Sequence, residues 1–289
     1  MLMKGLTYYV PESISEACSV LANYAGSARA FAGGTDLVPR MKDGVIQLSA
    51  LVNLKNIGLS GIQDKGDSIS IGALTTLSEI IDSPIIAKRL PLLKEAAAQV
   101  ASVSIRNLAT LGGNICNASP SADTVPALLV LGAKAKITGP SGDWDLPLEE
   151  FFTGPGQTVL APGDLLTGVE VPNSPVSSTT VYIKQGVRRA MEIAIVGVAV
   201  AITLDSSGVC QACRIALGAV APTPIRIRKA EEILLKQKIT EELIHEASVM
   251  AVNEAKPITD IRSSAEYRSR MIGVQVRRAL RKVVKEASN

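Results

Sequence analysis

Two stretches of this 289-residue chain set adjacent glycines beside small polar residues at the end of an apolar segment. The first runs Arg29, Ala30, Phe31, Ala32, Gly33, Gly34, Thr35, Asp36, and the second runs Thr110, Leu111, Gly112, Gly113, Asn114 and on to Asp123. A Gly–Gly pair leaves backbone N–H groups unshielded and tolerates positive φ, so a phosphate can approach the main chain. A ligand with two phosphates would suit two such loops, although two structural turns would use the same residues. Neither G-x-G-x-x-G after a strand nor G-x-x-x-x-G-K-[ST] occurs, so a dinucleotide bound here needs a framework other than a Rossmann unit or a P-loop.

Other chemistry-bearing residues are few. Asp123 closes the second stretch before an apolar helix, where it suits an N-cap or accepts a hydrogen bond from a ligand hydroxyl. In "YIKQGVRRAMEIAIV", strand alternation puts Lys184, Gly186 and Arg188 on one face, with Arg189 and Glu192 nearby. A cation there could sit beside a cofactor that gains negative charge on reduction, or on a solvated strand face. Cys210 and Cys213 form a lone C-x-x-C on an expected strand, whose alternation points them to opposite faces, a poor metal or redox geometry. The single histidine, His245, excludes Ser-His-Asp, Cys-His and multi-histidine zinc chemistry. No catalytic side chain and no metal site are expected.

The elements that must position these residues alternate at first. "LTYYV" and "ARAFA" read as strands around a helix whose capping box is Ser13 with Glu16. "ALVNL" and "SISIGA" read as strands, and a helix is expected from Pro84 towards Val100. Gly112 to Asp123 reads as a loop, Thr124 to Leu131 as a helix, and "AKAKITG" as a strand turning at "PSGD". Pro172 to Ser178 is the linker candidate. Beyond it come "TTVYIKQG" and an antiparallel hairpin of "IAIVGVAVAITLD" with "VCQACRIALGAV". Helices follow over Ile227 to Leu235, Glu241 to Ala255 and Ala265 to Glu286, the last with a capping box of Ser263 and Glu266. That order predicts an α+β second half, helices on one face of an antiparallel sheet.

Aromatic residues are only 3% of the chain, so the core must rest on Ala, Val, Ile and Leu. A net charge of +3 offers no electrostatic case for nucleic acid. The basic last helix, with Arg268, Arg270, Arg277, Arg278, Arg281, Lys282 and Lys285, reads as a solvated face or a docking surface for an acidic partner. Ile193 to Leu204, the longest uncharged apolar run, is about a dozen residues, short of the ~20 of a membrane helix. No signal peptide is expected, four scattered cysteines do not make a disulfide framework, and the expected location is the cytoplasm.

Taken together, "FAGGTDL" (Phe31 to Leu37), "IRNLATLGGNICNASPSAD" (Ile105 to Asp123) and "KQGVRRAMEIAIV" (Lys184 to Val196) make the chain resemble, over nearly its whole length, the flavin-binding medium subunit of molybdenum hydroxylases. The resemblance implies an α+β protein. A two-lobed FAD-binding domain of the p-cresol methylhydroxylase and vanillyl-alcohol oxidase type would occupy residues 1–175. A smaller α+β domain of the carbon monoxide dehydrogenase flavoprotein type would occupy 176–289. It also implies FAD as cofactor. The pyrophosphate would be held by main-chain N–H groups of Arg29 to Asp36 and of Thr110 to Asn114. Asp123 would contact FAD, Leu166 would line the flavin or adenine, and Lys184 would lie close to the isoalloxazine ring, where its charge would stabilise the reduced anionic form.

The implied function is electron transfer. Electrons would come from a large molybdopterin subunit through iron–sulfur clusters of a small subunit, and pass from FAD to NAD⁺ or another acceptor, in a complex built as a dimer of heterotrimers. A flavin-binding assembly subunit and a stand-alone flavin reductase or oxidase are the competing readings. The family often carries aspartate where this chain has Glu192. The cysteine-rich insertion of the 4-hydroxybenzoyl-CoA reductase branch is absent, which makes that branch the poorer match.

Overall fold

Short apolar segments separated by helices pair through crossovers in the first part of the molecule. The structure, a computed structural model, describes residues 5–173, 178–188 and 190–287. It begins with β1 (Thr7–Tyr9), α1 (Ile14–Asn23), β2 (Ala28–Phe31), α2 (Leu37–Lys42) and β3 (Ala50–Asn53). β3 lies between β1 and β2 and is parallel to both, the arrangement that a helical crossover between strands permits. The Ser13 hydroxyl accepts the Glu16 N–H (3.1 Å), but the Glu16 carboxylate accepts from Glu12 N–H (2.8 Å) instead of Ser13. The expected capping box is thus closed one residue early.

A second lobe follows, with β4 (Ile62–Asp64), β5 (Ser68–Gly72), α3 (Leu77–Asp82), α4 (Pro84–Arg89), α5 (Pro91–Ala98), α6 (Val103–Arg106), α7 (Leu111–Cys116) and α8 (Thr124–Val130). The chain then adds β6 (Lys134–Gly139), β7 (Gly142–Pro147), β8 (Phe152–Gly154), β9 (Gln157–Thr158) and β10 (Leu165–Pro172). Five of these strands form an antiparallel sheet in the order β4-β5-β10-β6-β7. Its core is aliphatic, built from residues such as Ile69, Ile71, Leu93, Leu111, Ile115, Leu128 and Val169. The single helix expected from Pro84 is two, because Leu90 (φ −135°, ψ 52°) leaves helical geometry before Pro91; proline crowds the preceding residue out of the α region. The expected loop from Gly112 begins instead with α7, started by the Thr110 hydroxyl accepting the Gly113 N–H (3.0 Å).

The last part is β11 (Ser178–Gln185), β12 (Val196–Leu204), β13 (Cys210–Gly218), β14 (Ile225–Arg226), α9 (Arg228–Leu234), α10 (Glu241–Glu254) and α11 (Ala265–Ala287). The strands form an antiparallel sheet in that order, including the expected hairpin. One face packs on α11 and α9; the other packs on α5 and α8 of the preceding lobe. β12 is therefore buried on both sides, Val196, Val198, Val200 and Ile202 facing the helices and Ala199 the lobe. That accounts for its unbroken apolar run. Among the described residues no helix is long and apolar enough to cross a membrane. Residues 174–177 of the expected linker, and Arg189, lie outside the described residues.

Two local expectations are corrected here. The register of β12 on β13 shifts so that Thr203 faces Ala212 and Leu204 faces Cys210, which leaves Gln211 as an extra, bulged residue. The bulge undoes strict alternation and turns Cys210 and Cys213 onto the same helix-facing core. At α11 the hydroxyl that accepts the Tyr267 N–H (3.1 Å) belongs to Ser264, not Ser263. The Ser263 N–H is held by the Asp260 carboxylate (3.1 Å), which keeps Ser263 in the preceding turn.

Candidate functional site

The first glycine stretch leaves β2 at Phe31 and enters α2 at Leu37. Gly34 takes φ +71°, a conformation open to glycine at little cost. Gly33 is needed for a different reason, since a Cβ there would lie 1.9 Å from the Leu108 carbonyl oxygen and 3.2 Å from Ala109 Cα. The first stretch is thereby pressed against the backbone just before the second. The N–H groups of Gly33, Gly34, Thr35 and Asp36 have no acceptor among the described residues. Consecutive main-chain donors without an internal acceptor are the kind of group that can bind an anion such as a phosphate. Upstream, the Arg29 guanidinium folds onto the carbonyls of Gly26 (2.7 Å) and Ala28 (3.0 Å). Ala30 and Ala32 pack against the first small core, and Phe31 meets Tyr8 edge-on.

The second stretch is built differently. Leu111 N–H donates to Thr75 O (2.9 Å), Gly112 to Ala73 O (2.8 Å), and Asn114 to Thr110 O (2.9 Å). With Gly113 held by the Thr110 hydroxyl, these four donors are all engaged within the chain. Among the described residues, main-chain donors without an acceptor thus run from Gly33 to Asp36, while those of Leu111 to Asn114 are engaged within the chain. Gly112 is required by packing, because a Cβ would sit 2.7 Å from the carbonyl oxygen of Ala73. Asn114 Oδ1 accepts the Thr124 hydroxyl (2.6 Å) and so ties α7 to the start of α8.

Asp123 precedes α8, yet its side chain makes no capping bond. Its carboxylate instead reaches β11, where Oδ2 accepts from Lys184 Nζ (2.7 Å) and Oδ1 from the Tyr182 hydroxyl (2.8 Å). Lys184 Nζ also donates to the Gln99 carbonyl (3.0 Å). Burial raises the Asp123 carboxyl pKa, while the charge and hydrogen bond of Lys184 and the Tyr182 hydroxyl work against that rise. Lys184 lines a cavity of about 240 Å³ with Gln99, Gln185, Gly186, Arg188, Ala190 and Glu192. Arg188 and Glu192 pair across its rim (3.1 Å), and a Cβ on Gly186 would meet the Glu192 side chain at 2.6 Å.

Leu166 lies in β10 at an irregularity in its pairing with β6, and its side chain is buried in the main aliphatic core. Its neighbour Thr167 accepts the Ala73 N–H (3.0 Å), one hydrogen bond from Gly112. Tyr182 is the residue that sequence reasoning missed; its two-residue spacing from Lys184 on a strand was the available signal. The basic face of α11 is partly used internally. Arg268 is buried and donates to the Ile195 and Ala219 carbonyls and to Asp260, Arg277 donates to the Ser248 hydroxyl, and Arg281 pairs with Glu241.

Comparison with known proteins follows the same division of the chain. Residues 4–174 match the family described as the FAD binding domain in molybdopterin dehydrogenase, and residues 181–283 match the CO dehydrogenase flavoprotein C-terminal domain. The carbon monoxide dehydrogenase medium chain of Afipia carboxidovorans is 33% identical over 290 residues, covering 100% of both chains. A putative xanthine dehydrogenase FAD-binding subunit of Escherichia coli is 31% identical, covering 97% of both. Among solved structures, a Cu,Mo-CO dehydrogenase chain superposes with a TM-score of 0.94 at 33% identity over 99% of both chains. A chain of quinoline 2-oxidoreductase from Pseudomonas putida gives 0.93 at 29% identity over 100% of both.

Proposed function

We propose, from the premise that this chain belongs to the family of FAD-binding medium subunits of molybdenum hydroxylases, that it relays electrons from iron–sulfur clusters of a partner subunit to NAD⁺ or another acceptor. It is an FAD-binding oxidoreductase subunit, with molybdenum and iron–sulfur centres carried on other subunits of such enzymes. FAD supplies a centre that takes up electrons singly and gives them up as a pair.

The observation that carries the assignment of the site is the run of four N–H groups from Gly33 to Asp36 that have no partner among the described residues. They would donate to the diphosphate, with Arg29 to Ala32 setting the direction of the loop. Thr110 to Asn114 would form the wall against which that loop rests, and Leu166 would back it. Asp123 and Lys184 would border the flavin. In this reading residues 1–175 bind the cofactor and 176–289 supply Lys184 and the sheet behind it. The proposed partners are a small iron–sulfur subunit and a large molybdopterin subunit that selects the substrate, in a cytoplasmic dimer of heterotrimers.

Co-expression with the neighbouring open reading frames tests this. The expected complex is yellow, holds one FAD per copy of this chain, and shows flavin bleaching when the large subunit's substrate is added. A colourless chain that binds no added FAD overturns the reading. NADH oxidation by this chain alone would instead favour a stand-alone flavin reductase, and assays with NAD⁺ and quinones separate the acceptors.

A further inference from the structure

A lysine beside a flavin is expected to favour the reduced, more negative form through its charge. The geometry around Lys184 changes that expectation, because a buried carboxylate lies 2.7 Å from its ammonium group. The carboxylate is itself held from the other side by the Tyr182 hydroxyl at 2.8 Å. Tyr182 is 3% exposed, and it fits because β12 has glycine at position 197, where a Cβ would stand 3.0 Å from the phenol oxygen. Tyr182 and Lys184 lie on one face of β11, while Asp123 comes from the loop that leads from α7 into α8. We propose that Tyr182 is a positioning residue which, by holding the Asp123 carboxylate against Lys184, keeps the lysine's charge compensated at the flavin site. This rests on the assignment of Lys184 to the flavin border made above.

Among the described residues, the charged groups that face the triad come from α5 and from the cavity rim. From α5, Glu95 accepts the Tyr182 N–H (3.2 Å), and the Gln99 carbonyl just beyond that helix accepts from Lys184. Arg188 and Glu192 at the cavity rim are paired with each other. Burial and the neighbouring Asp123 charge push the Tyr182 phenol well above its ordinary range, so it remains a donor. Asp123, the carboxylate that touches Lys184 and whose pKa burial raises, is the group whose protonation would change the charge balance at Lys184. When it takes up a proton, the charge of Lys184 is no longer balanced, and reduced flavin is stabilised. The flavin potential then rises on acidification beyond the slope set by the flavin's own protons. Losing the Tyr182 donor moves the Asp123 transition to higher pH, by about one unit or more for a hydrogen bond to a charged group.

The test is the midpoint potential of bound FAD as a function of pH in wild type, Tyr182→Phe and Asp123→Asn, all in the assembled complex. Infrared titration of the Asp123 carboxyl in the isolated chain without flavin gives a second readout. The expected outcome is an inflection that shifts upward in Tyr182→Phe and disappears in Asp123→Asn, whose potential follows the acid limb throughout. Tyr182→Phe with bound FAD and an unchanged curve overturns the proposal. Should Tyr182→Phe not fold, an inflection that persists in Asp123→Asn overturns it equally. Wild-type complex without flavin removes the site assignment, a failure distinct from flavin present with no change.

Discussion

Asp123 and Lys184 stand 61 residues apart in sequence and 2.7 Å apart in space, with 7% and 8% of their side chains exposed. The carboxylate comes from the cofactor-binding lobe and the ammonium group from the sheet that follows it, so this ion pair joins the two halves beside the cavity. A buried pair of this kind contributes little net stability compared with apolar residues of the same shape, but removing one partner strands the other.

Lys184→Met is accordingly expected to cost about 3–5 kcal/mol at neutral pH. Burial already raises the Asp123 carboxyl above its unfolded value, and loss of Lys184 raises it further. For an acid whose folded pKa is raised, the native state binds protons more tightly, so the penalty is absent below the unfolded pKa, grows as pH rises from there, and is complete above the folded pKa. Urea denaturation of wild type and Lys184→Met at acid and neutral pH checks the sign, since the gap must narrow on acidification.

Gly33→Ala places a Cβ 1.9 Å from the Leu108 carbonyl oxygen, and backbone must move to admit it. Loss of FAD through gel filtration is expected, with destabilisation of at least about 1–3 kcal/mol. Gly44→Ala is the control. Gly44 also has positive φ (+70°), but nothing lies within 4 Å of its Cβ position, so only about 1 kcal/mol and full flavin retention are expected. Equal flavin loss in both variants would show that the close approach at Gly33 is unimportant.

Asp260 and Arg268 make a pH-dependent clamp at the start of α11. Burial works to raise the Asp260 carboxyl, but N–H groups of Arg262 and Ser263 and the Arg268 guanidinium outweigh it and hold the pKa at about 2. Because the folded value lies below the unfolded 3.8, this stabilisation is present above the unfolded pKa and is lost as pH falls towards about 2. Asp260→Asn should therefore be less stable than wild type at neutral pH, and its melting curve should converge with wild type's between about pH 4 and pH 2.

Cys18, Cys210 and Cys213 are buried, and Cys116, though partly exposed as a residue, has a thiol that burial raises to about 12. A disulfide-exchange reagent should react slowly with the native chain and titrate four thiols in urea. Rapid reaction of Cys210 or Cys213 under native conditions would show that the Gln211 bulge does not turn both into the core.

Much of the architecture was legible in the residues themselves. Adjacent glycines after "ARAF", the alternating and apolar segments of the last sheet, and three amphipathic helices are local patterns, and local patterns survive translation into structure. Motif order was enough to point to the flavoprotein family. What the sequence left undecided depended on partners distant in the chain. Asp123 suits a helix cap by type, but Lys184 and Tyr182 arrive from β11 and take both carboxylate oxygens. The two glycine stretches look alike in sequence, yet Thr75, Ala73 and Thr110 engage the donors of Leu111 to Asn114, while those of Gly33 to Asp36 have no acceptor among the described residues. Cys210 and Cys213 share a face only because the pairing of β12 with β13 inserts a bulge. A residue's type sets which bonds it can make; which of them it does make is decided by the competing groups that tertiary packing brings within about 3 Å.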